Sequence, residues 1–433
     1  MKRIYIAALA LCASLPLLAA EPDAQQIKQG EYLARAGDCV ACHTAKGGKP
    51  FAGGLGMETP IGTVYSTNIT PDASGIGGYS FEDFDKAVRH GIGKSGSSLY
   101  PAMPYPSYAR VSDADMQALY AYFMKGVAPV AEPNKASDIP WPLSMRWPLA
   151  IWRKMFAPAV QASVAPQGSD PVVNRGAYLV EGLGHCGACH TPRAITMQEK
   201  ALSAGENADF LSGSAPLEGW IAKSLRGDHK DGLGSWSEEQ LVQFLKTGRS
   251  DRSAVFGGMS DVVEHSMQYM SDEDLTAIAR YLKTLPAVDR NDKPHEYDRQ
   301  VADALWKGDD SKAGASVYID NCAACHRTDG HGYTRVFPAL AGNPVVQTAD
   351  ASSLIHIVLA GGTLPATHTA PSTFTMPAFG WRLSDEEVAQ VVNFIRTSWG
   401  NQGATVKASD VKAMRTDDMK HTSGDDLGQS TRH

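Results

Sequence analysis

The sequence predicts an all-α protein built as three tandem copies of one small unit. Three recurring features predict it: a capped amphipathic helix, a Cys-x-x-Cys-His peptide upstream of it, and a short helical stretch opening on Gly upstream of that. The closing helices are the clearest. Ser112-Asp113-Ala114-Asp115 leads into Met116, Leu119, Tyr120 and Phe123. Ser271-Asp272-Glu273-Asp274 leads into Leu275, Ile278, Ala279 and Leu282, and Ser384-Asp385-Glu386-Glu387 into Val388, Val391, Val392 and Ile395. In each, Ser can cap the first turn and an acid follows three residues later, the capping-box spacing or its Asp variant. Apolar residues at i, i+3, i+4 and i+7 then share one helix face.

The opening stretches are Gly30-Glu31-Tyr32-Leu33, Gly176-Ala177-Tyr178-Leu179 and Gly314-Ala315-Ser316-Val317-Tyr318. Their Gly lies nine, ten and eight residues before the next Cys. So small a residue predicts a close helix crossing. Pro- and Ser-rich stretches around 158–171 and 286–294 punctuate the repeats. The expected organisation is a leader over 1–20 and a first unit over 21–157 with a Trp- and Pro-rich extension. A second unit over 158–293, a third over 294–402 and a polar tail over 403–433 follow.

Between opening and closing helices stand Cys39–Cys42–His43, Cys186–Cys189–His190 and Cys322–Cys325–His326. They use six of the seven cysteines, and the seventh, Cys12, falls in the leader. Cys-x-x-Cys-His is the attachment signature of c-type haem, the thiols joining the porphyrin and the His ligating iron. Structural zinc would draw four ligands together, usually from closely spaced motifs. Copies 147 and 136 residues apart, each with its own His, fit that poorly. Redox or structural disulfides leave the recurring His unexplained. Three covalently bound haem c groups are expected.

Met1-Lys2-Arg3, an apolar run from Ile4 to Leu18 and Ala19-Ala20 before Glu21-Pro22 have the form of a cleaved signal peptide, cut after Ala20. The run is too short for a membrane span. The expected location is the periplasmic side of the bacterial inner membrane. The formal charge of −7 becomes −9 once Lys2 and Arg3 leave, which argues against a nucleic-acid partner.

A thioether sixth ligand raises a haem's potential and suits electron transfer. Met103 in Pro101-Ala102-Met103-Pro104 and Met376 in Thr375-Met376-Pro377 both precede Pro, nine and eight residues before the capping Ser. The second unit departs. Met259, twelve residues before Ser271, is the first choice there, with Met267, four residues before it, as the alternative. His265 is a third candidate and would give a bis-His haem. Gly182-x-Gly184-x-x-Gly187 matches a dinucleotide fingerprint but overlaps Cys186 and follows a helix, so it receives no nucleotide role.

Helix, haem motif, ligand loop and closing helix is the order of a class I cytochrome c, and each unit resembles one: three tandem class I cytochrome c domains. That resemblance points to the carbonyl of Pro338, in Phe337-Pro338-Ala339-Leu340, as the group holding His326, with Pro60 and Pro216 as candidates in the first two units. Ala102-Met103-Pro104-Tyr105-Pro106-Ser107-Tyr108-Ala109, Gly232-Leu233-Gly234-Ser235-Trp236-Ser237 and the run from Leu245 to Met259 add a narrower resemblance. With the three motifs, the chain resembles the triheme cytochrome c subunit of bacterial membrane-bound dehydrogenases from about Gln25 to Gly400. The resemblance implies a separate catalytic subunit, using flavin (gluconate, keto-gluconate, sorbitol or fructose types) or pyrroloquinoline quinone (alcohol type). It also implies a small third subunit in some complexes, ubiquinone as acceptor and a membrane surface. The other class is a self-sufficient haem enzyme such as a peroxidase or sulfur-compound oxidase, which needs an open axial site. An oxidase cytochrome subunit is disfavoured by the lack of a mature membrane anchor.

Residues 139–156 hold Trp141, Trp147 and Trp152 among prolines, with Arg146, Arg153 and Lys154 interleaved. They read equally as an interdomain strap or as a surface meeting a membrane or partner. Val406, Val411 and Met414 are a weaker membrane candidate.

Overall fold

In the computed structural model, which describes residues 23–160, 170–216 and 219–415, each repeat is held by one helix crossing. The leader, with Cys12, lies outside the described residues, as do 161–169 of the first link and the tail beyond Arg415. The opening helices are Ala24–Ala36, Pro171–Tyr178 and Ala315–Asn321. The closing helices are Asp113–Ala121, Asp272–Thr284 and Asp385–Arg396. A Cβ on Gly30 would sit 1.9 Å from the Ala118 carbonyl oxygen, on Gly176 2.0 Å from that of Ala277, and on Gly314 2.2 Å from that of Gln390. Only glycine permits backbones this close, so the crossing expected from the opening glycines is present in all three units.

All three capping serines act as expected. The Ser112, Ser271 and Ser384 hydroxyls accept from the backbone N–H three residues on, at 3.2, 3.2 and 3.3 Å. The reciprocal half of the box differs. In the third unit Glu387 reaches back to the Ser384 N–H at 2.8 Å. In the first two units a tyrosine from the neighbouring unit takes that place. The Ser112 N–H donates to the Tyr178 hydroxyl at 3.1 Å, and that hydroxyl donates to Asp115 at 2.5 Å. The Ser271 N–H donates to the Tyr32 hydroxyl at 3.2 Å, and that hydroxyl donates to Asp274 at 2.6 Å. Each unit's opening helix thus completes the cap of the other's closing helix, an isologous contact of the kind two-fold dimers make.

Around these paired caps one core runs through both units, from Leu33, Met116 and Phe123 to Leu179, Leu275 and Leu282. Arg110 of the first unit reaches the buried Glu181 of the second at 3.5 Å, where Glu181 also accepts from Tyr281. The third unit has its own core around Tyr318, Val388, Phe394 and Trp399. It meets the second through polar contacts, ring contacts and a small apolar cluster: Arg249 donates to the carbonyls of Ala370 and Ser372 at 2.8 and 2.9 Å, Trp220 meets the rings of Phe256 and His356, and Val255 and Val263 pack with Leu364.

Two expectations change. The stretch after residue 402 is not all tail. Residues Ala408–Met414 form a helix whose Val411 is fully buried, with Val406 and Met414 packed on the third core. Arg415 then bonds Asp385 at 2.7 Å and the Leu383 carbonyl at 2.9 Å. These apolar side chains close the third unit and are no membrane face. The fold also carries two short hairpins: Gly56–Thr59 with Gly62–Tyr65, and Gly362–Thr363 with Thr375–Met376.

Candidate functional site

Each Cys-x-x-Cys-His peptide spans one helical turn: Cys39–Cys42 with His43 as its C-cap, and Gly187–His190 and Ala323–His326 with Cys186 and Cys322 as their N-caps. The two cysteines of a motif, at i and i+3, are neighbours on that turn. Burial pushes the Cys39, Cys186 and Cys322 thiols up to about 12.

The imidazoles are fixed the same way in all three units. Nδ1 of His43 lies 2.7 Å from the Thr67 carbonyl oxygen, Nδ1 of His190 2.7 Å from that of Lys223, and Nδ1 of His326 2.9 Å from that of Pro338. A carbonyl only accepts, so Nδ1 carries the proton and Nε2 presents its lone pair. The surrounding protein pushes all three imidazoles below their ordinary value by desolvation, against the opposing carbonyl bond. A neutral ring, oriented by its second nitrogen, is the form a metal ligand takes.

Pro338 therefore has the expected position, and Pro60 and Pro216 do not. Pro60 is exposed in the turn of the first hairpin, and Pro216 is exposed on a loop. The carbonyls that do the work are those of Thr67 and Lys223. They lie 24 and 33 residues after their His, whereas Pro338 lies only 12 after His326. Neither carries a residue-type signal, since every residue offers a carbonyl.

The third unit gathers the fullest site. Cys322, Cys325, His326, Pro338, Met376 and Phe379 line one cavity whose walls are almost wholly apolar. The cavity suits the flat apolar macrocycle that the motif implies. Its other side is supplied by the second unit, through Ser253 to Phe256. Met376 stands on the short strand facing Gly362, which brings it to this cavity from 50 residues beyond the motif.

In the first unit Met103 is half-buried against the shared core, on which Cys39 and Val40 also pack. The second unit's candidates separate. Met267 is buried inside the shared core with Met270. Met259, on the helix Gly258–His265, is half-buried beside Val255 and Val263, facing Leu364 and Phe374 of the third unit. His265 has a ring nitrogen within 4.8 Å of the carboxylates of Asp261 and Glu264, both exposed. That leaves it turned to the surface. The first two attachment turns are neighbours: burial pushes Cys42 up to about 11, and Asp38 and Cys189 both add to the rise. Gly182 forms a kink in the helical stretch Leu179–Leu183 and Gly184 caps its end; neither lies in a strand-to-helix turn, so the dinucleotide pattern has no structural basis.

Comparison with known proteins agrees with this geometry. The family model described as Cytochrome c matches residues 27–126 and 311–399. The chain is 67% identical over 396 residues to the gluconate 2-dehydrogenase cytochrome c subunit of Pantoea cypripedii, covering 90% of each chain. It is 57% identical over 401 residues to the cytochrome c subunit of the quinone alcohol dehydrogenase of Gluconobacter oxydans, covering 92% of this chain and 84% of that one. It is 38% identical to the fructose dehydrogenase cytochrome subunit of Gluconobacter japonicus, covering 90% and 82%. With imidazoles held for a metal beside paired cysteines and relatives of this kind along nine-tenths of its length, the chain belongs to the family of dehydrogenase cytochrome c subunits, electron-transfer proteins with covalently bound haem c.

Proposed function

We propose that this protein holds three haem c groups, one in each of three tandem class I cytochrome c domains, and relays electrons from a periplasmic catalytic dehydrogenase subunit to membrane ubiquinone. The observation that carries the reading is the threefold recurrence of an imidazole fixed through Nδ1 beside two cysteines on one helical turn. Each haem iron supplies a one-electron Fe(III)/Fe(II) couple. The chain's own groups do the rest. Cys39 and Cys42, Cys186 and Cys189, and Cys322 and Cys325 anchor the macrocycles. His43, His190 and His326 would each hold an iron through Nε2, their carbonyl bonds raising ligand basicity. Met103, Met259 and Met376 would supply the thioether that completes each iron's ligands and keeps out exogenous substrates.

The proximity of the first two attachment turns, close enough for Cys189 to add to the rise at Cys42, supports passage between the first two haems. The catalytic partner is a flavin-dependent, gluconate-type dehydrogenase, the reading supported by the higher identity to the gluconate 2-dehydrogenase subunit. The alcohol type with pyrroloquinoline quinone is the second reading, supported by 57% identity to that subunit. The mature protein starts after Ala20, lies on the periplasmic face and is peripherally attached. Among the described residues no helix is long and apolar enough to cross a membrane.

Purification of the protein from its own membranes in mild detergent, with flavin and quinone-cofactor analysis, tests the assignment. Gluconate should reduce the haems of that complex and ubiquinone should reoxidise them. Reduction by ethanol alone would move the assignment to the alcohol type. Rapid carbon monoxide binding by a full haem equivalent would overturn the electron-transfer reading for that haem. Met259→Leu should remove one haem's thioether charge-transfer band, and Met267→Leu should leave all of them.

A further inference from the structure

Residues 139–156 form both a strap and a free surface, and the two roles fall on opposite sides of one helix, Trp147–Phe156. Its inner side is bound to the first and second units. The Trp152 indole N–H donates to the Thr196 carbonyl at 2.8 Å, its ring meets Tyr105 edge-on, and Leu149 packs on Val64, Tyr100 and Ile139. The outer side carries Trp147, Ile151 and Met155, one stripe at i, i+4 and i+8, exposed by 63%, 52% and 66%. Trp141, exposed by 80%, and Leu143 extend it through the preceding turn. An ordinary surface helix buries its apolar stripe. This one is clamped so that it cannot.

The chain segment that carries the stripe is basic. From Ile139 to Ser169 there is no acidic residue and there are three basic ones, in a chain of net charge −7. Arg146 and Arg153 are held by Ser98 of the first unit, at 3.3 and 3.4 Å, and the exposed Lys154 stands at the edge of the stripe. Next to them lies a groove lined by His90, Arg153 and Lys154 among alanines and Pro158. The acid nearest the groove, Asp85, is paired with Arg89 and His90. A helix of 10 residues spans about 15 Å, half of a bilayer's apolar thickness, so it can lie in a membrane surface but not cross it. Tryptophan at the head-group level, apolar side chains below and cations on phosphates above form the pattern of an interfacial helix.

We infer that the helix Trp147–Phe156 and the turn before it dock this protein on an anionic phospholipid surface, lying in the plane of the bilayer. The stripe enters the acyl boundary while Arg153, Lys154 and the adjacent groove take head-group phosphates. The inference rests on the reading of peripheral attachment and names the surface that makes it.

Flotation of the purified haem-loaded protein with vesicles tests it. Vesicles of phosphatidylcholine alone are compared with an equimolar mixture of phosphatidylcholine and phosphatidylglycerol. The native protein should float with the anionic vesicles and weakly with the neutral ones. Joint replacement of Trp141, Trp147, Ile151 and Met155 by Ser should lower partitioning roughly tenfold or more. Arg153→Gln with Lys154→Gln should remove the preference for anionic lipid. Unchanged haem content and absorption spectra show that the variants fold, since Trp152 and Leu149 stay in place. If the native protein floats with neither vesicle, peripheral attachment itself fails. If the native protein floats and both variants float equally well, another surface docks and the inference is overturned. If the Ser variant floats normally but no longer co-purifies with a catalytic subunit, the stripe is a protein interface, which also overturns it.

Discussion

The first two units and the third solve the same local problem in different ways. All three begin their closing helix at a capping Ser with an acid three residues on. In the third unit Glu387 closes its own box. In the first and second units the acid is Asp, one methylene shorter. The N–H it would serve goes instead to a tyrosine hydroxyl from the other unit. An intrahelical device has become an interface, and the two units share a core. A self-contained cap leaves the third unit with its own core, attached to the second by carbonyl contacts, ring contacts, a small apolar cluster and a common wall of one cavity. The lesson is that a motif repeated three times in sequence can encode a local cap in one copy and a quaternary-like contact in the others.

That contrast can be broken at the helix crossings first. Gly176→Val places side-chain atoms where the Ala277 carbonyl oxygen lies 2.0 Å from any Cβ. The expected cost is about 3 kcal/mol or more. It should lower the unfolding temperature of units one and two together while leaving a separate third-unit transition, as calorimetry would resolve. Gly314→Val should do the reverse. A single merged transition in both variants would show that the pair and the third unit are one cooperative block.

The cross-unit tyrosines are next. Tyr178→Phe removes the acceptor of the Ser112 N–H and the donor to Asp115, and Tyr32→Phe does the same at Ser271 and Asp274. Each should cost about 1–3 kcal/mol by denaturant unfolding. Glu387→Ala in the third unit, where the box is exposed, should shift unfolding less than either. Equal effects in all three would remove the distinction between interface and cap.

The smallest effect is in acid. Burial works to raise the Asp274 carboxyl, but the Arg175 and Tyr32 hydrogen bonds outweigh it and hold it below its ordinary 3.8. Arg175 contributes two bonds, at 2.8 and 2.7 Å. The folded value lies below the unfolded one, so this stabilisation is complete above 3.8 and is lost as pH falls through the folded value. Stability of the paired units should therefore decline at the acid end. Asp274→Asn should flatten that part of the profile without changing the third unit's.

Much of this was legible in the sequence for a physical reason. Helix caps, apolar periodicity, close-crossing glycines and Cys-x-x-Cys-His spacing are local, and each residue type there has few alternatives. Met376 was legible through Thr375-Met376-Pro377, and it lines the cavity with His326. Legibility failed where the partner is a backbone carbonyl or lies far along the chain. His43 and His190 take their carbonyls from Thr67 and Lys223, not from Pro60 or Pro216, because the intervening loops run to 24 and 33 residues, the first with an inserted hairpin. The helix Ala408–Met414 was hidden because its few apolar residues sit in a polar stretch, and only docking gives Val411 its burial.

By itself the sequence determined a mainly helical repeat, the three Cys-x-x-Cys-His peptides, the capped helices and two methionines in a recurring context. Each follows from covalent chemistry or from contacts within a few residues. Tertiary structure alone decided that Tyr32 and Tyr178 finish each other's caps, that the second unit walls the third's cavity, and that Trp152 faces inward while Trp147 faces out. Those outcomes depend on which surfaces meet, a sum of packing over distant segments that no short window of residues contains.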